Sequence, residues 1–164
     1  MRKDLFQKLY DKPFWIWDKQ QHKQEDIKTD EDCCFNHIIG LPTKEGEEKA
    51  IFDYEKILYY ALLDNDDSNI LHHAFKHEHL WVKKANGLGV TEFFLRLMAW
   101  LCLRNDDYTN SQMCIVTGPN IDIAIKLIKR MKALFEPRLH VTFDSKETVL
   151  ELNGCTIEAY SSTI

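Results

Sequence analysis

The fold is decided by residues 79–103, which read HLWVKKANGLGVTEFFLRLMAWLCL. Residues 79–83 form a short apolar run with strand character. The residues that follow, 84–90, are rich in glycine and small side chains, which is typical of a loop. From Thr91 to Leu103 nearly every position is apolar, and a helix that is apolar on all sides is buried. The stretch therefore predicts a strand, a tight loop and a buried helix in succession.

The same alternation continues on both sides of this stretch. Helical spacing of apolar residues predicts helices over 52–62 and 121–135, the second capped by Asn120 and ended by Glu136-Pro137. Short apolar and β-branched runs predict strands at four further places: 113–116, 139–143, 148–152 and 155–160. Asn153-Gly154 indicates a two-residue hairpin between the last two strands. We therefore expect an α/β fold, with a largely parallel sheet flanked by helices and one β-hairpin.

Length and composition limit the classes of protein to which the chain can belong. Its 164 residues carry 26 acidic and 21 basic side chains, a formal net charge of −5, which excludes a small, strongly basic protein that coats nucleic acid. The character changes near residue 50, which predicts an N-terminal polar and aromatic extension over 1–49 and an α/β domain over 50–164. No apolar run reaches the ~20 residues of a membrane helix, and the start lacks the apolar core of a signal peptide. We therefore expect a soluble, cytoplasmic protein without a membrane partner.

The loop before the buried helix has the chemistry of a phosphate site. A phosphate-binding loop is written G-x-x-x-x-G-K-[ST] and lies between a strand and a helix. Its glycines let backbone N–H groups approach phosphate oxygens at the helix N-terminus, and its hydroxyl holds Mg²⁺. Gly87 and Gly89 are placed for the turn, and Thr91 is placed for the hydroxyl. The alternative is a strand-to-helix turn that binds no ligand.

The cation of this loop is displaced from its usual position. Val90 stands where the pattern has lysine, so the positive charge for the phosphates would come from Lys84 at the front of the loop, with Lys83 in reserve. Backbone N–H groups would be offered by Asn86, Gly87, Leu88, Gly89 and Val90.

This arrangement resembles the deviant Walker A loop of the large terminase subunits, the ATPases that pump viral DNA into capsids. Three further segments resemble parts of that family. Residues 113–119 resemble its second core strand, and residues 151–159 resemble the hairpin before its Walker B strand. Residues 52–55 lie where the family often has an aromatic–Gln pair near the adenine, with Glu55 in place of the Gln. The resemblance covers residues 50–164.

The resemblance implies a P-loop NTPase-type core that binds ATP and Mg²⁺. It implies nucleotide contacts for nine residues: Lys83, Lys84, Asn86, Gly87, Leu88, Gly89, Val90, Thr91 and Glu55. It also implies that Thr91 holds the Mg²⁺. In the family, hydrolysis drives double-stranded DNA through a homo-oligomeric ring seated on a portal protein. No apolar strand ending in Asp-Glu, the Walker B motif, occurs in the sequence, so we expect a domain incomplete at its C-terminus that binds ATP without efficient hydrolysis. The catalytic residues stay unassigned.

Two other functions remain open. A fragment of a helicase-type ATPase would share the same core. A non-catalytic α/β module would contact nucleic acid or protein through the aromatic residues at 14–17 or through a basic helix face. That face consists of Lys126, Lys129, Arg130 and Lys132. A cluster of histidines at 72, 73, 77 and 79 lacks the partners of a metal site, so surface histidines are the favoured interpretation.

Overall fold

The computed structural model describes residues 6, 9, 10, 12–14, 34–40, 52–62, 80–103 and 108–163, apart from the side chains of 137 and 138. These ranges contain four α-helices and three strands. In chain order they are α1 (Phe35–Ile39), α2 (Asp53–Leu62), α3 (Val90–Leu103), β1 (Gln112–Thr117), α4 (Ile121–Leu139), β2 (Val149–Leu152) and β3 (Cys155–Ser161). The α/β class is therefore confirmed. The helices predicted from apolar spacing form as α2 and α4, and the predicted buried helix forms as α3.

The strands make one small mixed sheet in the order β1-β3-β2. β1 and β3 are parallel, with Gln112 opposite Thr156, while β2 and β3 are antiparallel. The predicted hairpin is confirmed, because Asn153 and Gly154 join β2 to β3 with φ angles of 47° and 78°. Two consecutive positive φ angles match the right-handed twist of the flanking strands.

Two predicted strands do not form. Residues 80–83 are neither strand nor helix, and Trp81 is 96% exposed. A strand is stable only when its backbone groups find partners, and no hydrogen-bonded neighbour of this segment occurs in the described ranges. The expected strand before the loop is thus a wrong prediction.

The predicted strand over 139–143 is also wrong, and so is the predicted helix end at Glu136-Pro137. Helix α4 continues to Leu139 and ends at His140, whose φ of 50° is left-handed. The apolar face of α4 carries the helix past the proline, because Phe135 is fully buried and Leu139 packs against the core. Burial of that face outweighs the hydrogen bond that proline removes.

The core lies between α3, α4 and one face of the sheet, and an aromatic cluster extends it toward the N-terminal residues. Phe14 is 1% exposed and stacks on Tyr59 of α2 at 5.8 Å between ring centroids. It also packs against Trp100 of α3 at 5.4 Å. The Trp100 indole Nε1 donates a 2.6 Å hydrogen bond to the Lys12 carbonyl. Phe14, the first of the aromatic residues at 14–17, therefore packs on the domain, while 15–17 lie outside the described residues.

Helix α3 is buried along most of its length, as its sequence predicts, with Leu95, Ala99 and Leu101 all below 4% exposed. Helix α4 begins as predicted, because the Asn120 side chain accepts a 2.8 Å hydrogen bond from the Asp122 amide. None of the helices in the described ranges is both long enough and apolar enough to cross a bilayer.

Candidate functional site

The candidate loop is an exposed turn that leads directly into a buried helix. Residues 80–89 are all exposed, whereas Val90, the first residue of α3, is 5% exposed. Gly87 and Gly89 have φ angles of 81° and 73°. This left-handed conformation is strained for residues with a Cβ and free for glycine. The two glycines that the sequence singles out therefore make the turn.

The N-terminus of α3 presents backbone donors to this turn. The amide of Phe93 makes the first bond of the helical ladder, 3.0 Å to the carbonyl of Gly89. The amides of Val90, Thr91 and Glu92 therefore have no acceptor within the helix. The helix dipole adds positive potential at the same end, and the Thr91 side chain is exposed there. This end of α3 has the electrostatics that favour an anion.

The negative charge of Glu92, in the first turn of α3, is balanced by two arginines. Glu92 accepts from Arg96 Nε through Oε1 at 3.0 Å and from Arg130 Nη2 through Oε2 at 2.6 Å. Its side chain is only 23% exposed. Because each carboxylate oxygen has a guanidinium partner, Glu92 does not make the N-terminus of α3 repel a phosphate.

The predicted lysines lie on the exposed front of the loop. Lys83 and Lys84 are both exposed, together with Asn86 and Leu88. The Lys84 ammonium donates a 3.2 Å hydrogen bond to the Ala85 carbonyl, so it turns along the loop rather than away from it.

The structure brings the 52–55 segment to the loop, although these residues are more than thirty positions away in sequence. The Tyr54 hydroxyl donates a hydrogen bond to the Leu88 carbonyl. Glu55 lies behind the turn, because a Cβ built on Gly89 would be 3.9 Å from Glu55 Oε1. Helix α2 therefore supports the loop from its buried side. Sequence reasoning missed Tyr54, whose role depends on a tertiary contact with a backbone carbonyl.

Glu55 is buried, which changes what it can do. It is 5% exposed, and its Oε2 accepts a 3.1 Å hydrogen bond from the Phe52 amide at the start of α2. Burial raises the pKa of Glu55, against the opposing effects of the Phe52 N–H and of Arg96. The exposed aromatic group of this segment is the Phe52 ring, which is 50% exposed and stacks on Tyr54 at 5.4 Å with 9° between the ring planes.

Arg96 connects α3 to the N-terminal residues and is the second residue that sequence reasoning missed. It is 5% exposed, and its Nη1 donates to Asn36 Oδ1 at 3.1 Å and to the Gly40 carbonyl at 2.7 Å. Burial lowers the pKa of Arg96, and the carboxylate of Glu92 opposes that shift. A charged residue inside the otherwise apolar run of α3 was the available signal.

The basic residues of α4 are largely engaged in ion pairs and hydrogen bonds within the chain. Lys129 pairs with Glu147 at 2.5 Å, and Arg130 pairs with Glu92. Lys132 is 8% exposed and donates to backbone carbonyls of the following loop. Of the four basic residues in the predicted face, Lys126 alone is exposed without one of these contacts. The structure thus favours a structural role for most of this face.

Within the described ranges, no group of three or more His, Cys, Asp and Glu side chains could hold a metal ion. The predicted histidine cluster at 72, 73, 77 and 79 lies outside those ranges. Comparisons of the chain with models of protein families, with curated proteins and with solved structures found no match.

Proposed function

We propose that the loop over 84–91 binds the phosphates of ATP and that the chain is the nucleotide-binding portion of a terminase-type P-loop ATPase. One observation carries the proposal. Two left-handed glycines lie directly before a buried helix, and the first three amides of that helix have no acceptor within it. Phosphate sites are built from such amides at a helix N-terminus.

The residues around the loop fit a magnesium nucleotide. The exposed ammonium groups of Lys83 and Lys84 would face the phosphates, and the loop amides would donate to their oxygens. Mg²⁺ would be held by the Thr91 hydroxyl and by nucleotide oxygens, since no protein carboxylate cluster is present in the described residues. The metal would neutralise phosphate charge. The exposed Phe52 ring is the group that a base would meet, with Glu55 fixing the segment behind it.

The wider proposal is supported by the resemblance of residues 50–164 to terminase subunits. The wider proposal is that the chain has a P-loop type of core, that the protein moves double-stranded DNA, and that it works as a homo-oligomeric ring with a portal protein as partner. A helicase-type ATPase fragment would share the same core fold, but the lysine at the front of the loop, Lys84, favours the terminase type.

Calorimetric titration with Mg-ATP tests the site. We expect saturable binding by the parent chain and a loss of at least tenfold in affinity in the Lys83→Ala/Lys84→Ala double variant, since each charge-assisted bond contributes about 1.5–3 kcal/mol. The matched control is Lys126→Ala/Lys146→Ala, which removes two exposed lysines away from the loop. Equal binding by both double variants would refute the site.

The magnesium role of Thr91 is tested by two substitutions. Thr91→Val keeps the shape and removes the hydroxyl, while Thr91→Ser keeps the hydroxyl. We expect the gain in nucleotide affinity on adding Mg²⁺ to vanish in Thr91→Val and to persist in Thr91→Ser. If both variants keep the same magnesium dependence, Thr91 does not hold the ion.

A second candidate function is favoured by the exposed segment before the loop. Trp81 is 96% exposed, and its neighbours Leu80 and Val82 are each 39% exposed. An exposed tryptophan between apolar neighbours is a feature of interaction surfaces. The non-catalytic module would bind nucleic acid or protein without regard to ATP. A filter-binding assay with duplex DNA over a salt series, with Trp81→Ala as the variant and Mg-ATP present or absent, separates this function from the first.

A further inference from the structure

The Tyr54 hydroxyl acts on a single peptide unit of the loop. It donates its hydrogen bond to the Leu88 carbonyl, and that carbonyl belongs to the peptide unit that Leu88 shares with Gly89. The unit is trans and planar, so its C=O and its N–H point in opposite directions. A carbonyl that is held toward Tyr54 therefore sends the Gly89 N–H to the other side of the turn, away from α2.

The opposite orientation of this peptide unit is open to the chain because residue 89 is glycine. A flip of the unit by about 180° would move the φ of Gly89 from 73° into the negative range that every residue adopts, and glycine populates both ranges readily. The flipped unit would turn the Gly89 N–H toward α2, where Glu55 Oε1 lies 3.9 Å from a Cβ built on Gly89. The Leu88 carbonyl would then face the exposed side of the turn.

Tyr54 has the geometry and the protonation state that oppose this flip. Its ring stacks on Phe52 at 5.4 Å with 9° between the ring planes, and this contact fixes the direction of the phenol. Burial raises the pKa of the Tyr54 phenol, and the neighbouring Glu55 carboxylate raises it further, so the hydroxyl keeps its proton at neutral pH. A protonated phenol donates to a carbonyl, whereas a phenolate only accepts. The hydrogen bond is lost when the Leu88 carbonyl turns outward.

We propose that Tyr54 is a latch on the loop, whose hydroxyl holds the peptide unit between Leu88 and Gly89 with the Gly89 N–H turned outward, and that removal of the hydroxyl lets this unit flip. The latch is a property of the folded chain without ligand. Its role in phosphate binding rests on the proposed function, because an outward N–H donates to a phosphate oxygen whereas an outward carbonyl repels one. Tyr54 is thus a positioning residue that acts through Gly89.

A double-mutant cycle tests the latch without any ligand. In the parent, Gly89→Ala should lower the melting temperature, because the latch keeps residue 89 left-handed. Tyr54→Phe keeps the ring and removes the hydroxyl, so the unit can flip and the loss caused by Gly89→Ala should be less than half of its value in the parent. Gly87→Ala is the matched control. Its φ is 81°, but the Tyr54 hydroxyl bonds to a different peptide unit, so its loss should be the same in both backgrounds.

The comparison of the two glycines decides the outcome of the cycle, and circular dichroism checks that each variant folds. An equal loss from Gly89→Ala in the parent and in Tyr54→Phe would overturn the latch. A loss from Gly87→Ala that shrinks in Tyr54→Phe by the same factor would also overturn it, because the hydroxyl would then stabilise the turn as a whole and not one peptide unit.

Nitrogen-15 labelling of glycine gives a direct readout of the outward N–H. The chain has six glycines, and the signal that is missing from Gly89→Ala identifies Gly89. Inorganic triphosphate with Mg²⁺, a probe without a base, should move this signal downfield in the parent. Tyr54→Phe should lose that movement and bind the probe roughly three- to tenfold more weakly, which is the value of one hydrogen bond. Tyr60→Phe removes another hydroxyl from α2 and should bind the probe as the parent does.

Failure of the latch and failure of the phosphate site give different results. A parent that binds neither Mg-ATP nor triphosphate refutes the proposed function, and the double-mutant cycle still decides whether the latch exists. A parent and a Tyr54→Phe variant that bind triphosphate equally, with the same movement of the Gly89 signal, refute Tyr54 as a positioning residue while the phosphate site stands.

Discussion

The left-handed turn before α3 can be tested by adding one methyl group at Gly89. With φ of 73°, Gly89 lies in a region where a residue with a Cβ is strained by about 1–2 kcal/mol. The Cβ of Gly89→Ala would meet only Glu55 Oε1, at an ordinary contact distance of 3.9 Å. The expected loss of stability is therefore the conformational term alone. Gly87→Ala should lose a similar amount, because its φ is 81° and no atom of the described residues lies within 4 Å of the added carbon.

Thermal unfolding measures the loss of stability in Gly89→Ala and compares it with alanine substitutions at two other glycines. A loss of 1–2 kcal/mol in a chain of this length lowers the melting temperature by roughly 2–8 °C. Gly118→Ala is the control, since Gly118 is not left-handed and none of the described residues would contact its added carbon, and we expect no loss. Gly154→Ala should lose more than Gly89→Ala, because its φ is 78° and its Cβ would lie 3.0 Å from Thr109 Cγ2.

The order of the four variants decides the outcome. If the melting temperature of Gly89→Ala equals that of Gly118→Ala instead of being lower, the turn is not held left-handed in the folded protein. The alignment of loop amides on which the phosphate proposal rests would then be wrong. A loss in Gly89→Ala that matches Gly154→Ala would show that a steric clash, and not φ alone, acts at the loop.

Three further substitutions test buried polar side chains, two of them beside the loop over 84–91 and one on α4. Glu55→Gln keeps an acceptor for the Phe52 amide and removes the charge. Burial raises the pKa of Glu55 in the folded state, so the ionised carboxylate opposes folding at pH values above its unfolded pKa of roughly 4.3. The variant should be more stable than the parent in urea at pH 7, and this advantage should shrink toward pH 4; an advantage that grows on acidification would contradict the assigned cause. Arg96→Met should lower the free energy of unfolding in urea by about 1–3 kcal/mol, because Asn36 Oδ1 and the Gly40 carbonyl lose their shared donor while Glu92 keeps Arg130, and a loss below 1 kcal/mol would show that the network is dispensable. Lys132→Met keeps the apolar stem and should lose about 1.5–3 kcal/mol for its bonds to loop carbonyls, which urea unfolding also measures; a neutral substitution would assign the stability to the stem alone.

Elements that depend on local interactions or on amino-acid composition alone could be predicted from the sequence. Helix α3 is apolar at nearly every position, so no arrangement other than burial suits it. The hairpin depends on two residues, Asn153 and Gly154, that adopt positive φ readily. The turn at Gly87 and Gly89 was predictable for the same reason.

Elements that depend on a distant partner could not be predicted. The run over 80–83 has the composition of a strand, but strand formation requires a neighbour that pattern alone does not supply. Pro137 predicts a helix end, whereas burial of the Phe135 side chain favours continuation of α4 to Leu139. The contacts of Tyr54 and Arg96 with backbone carbonyls follow from how α2 and α1 approach α3, and no spacing within one helix encodes that approach.

The contacts around the loop separate stability from binding. Arg96 and Glu55 are each 5% exposed and support the loop from within, so substituting either changes the free energy of unfolding before it reaches a ligand. Lys83 and Lys84 are exposed, so removing both should leave the melting temperature close to that of the parent while nucleotide affinity falls. A double lysine variant that lost affinity and stability together would mean that these side chains hold the loop's shape. An intact melting transition with lost affinity would instead be the signature of side chains that act on a ligand alone.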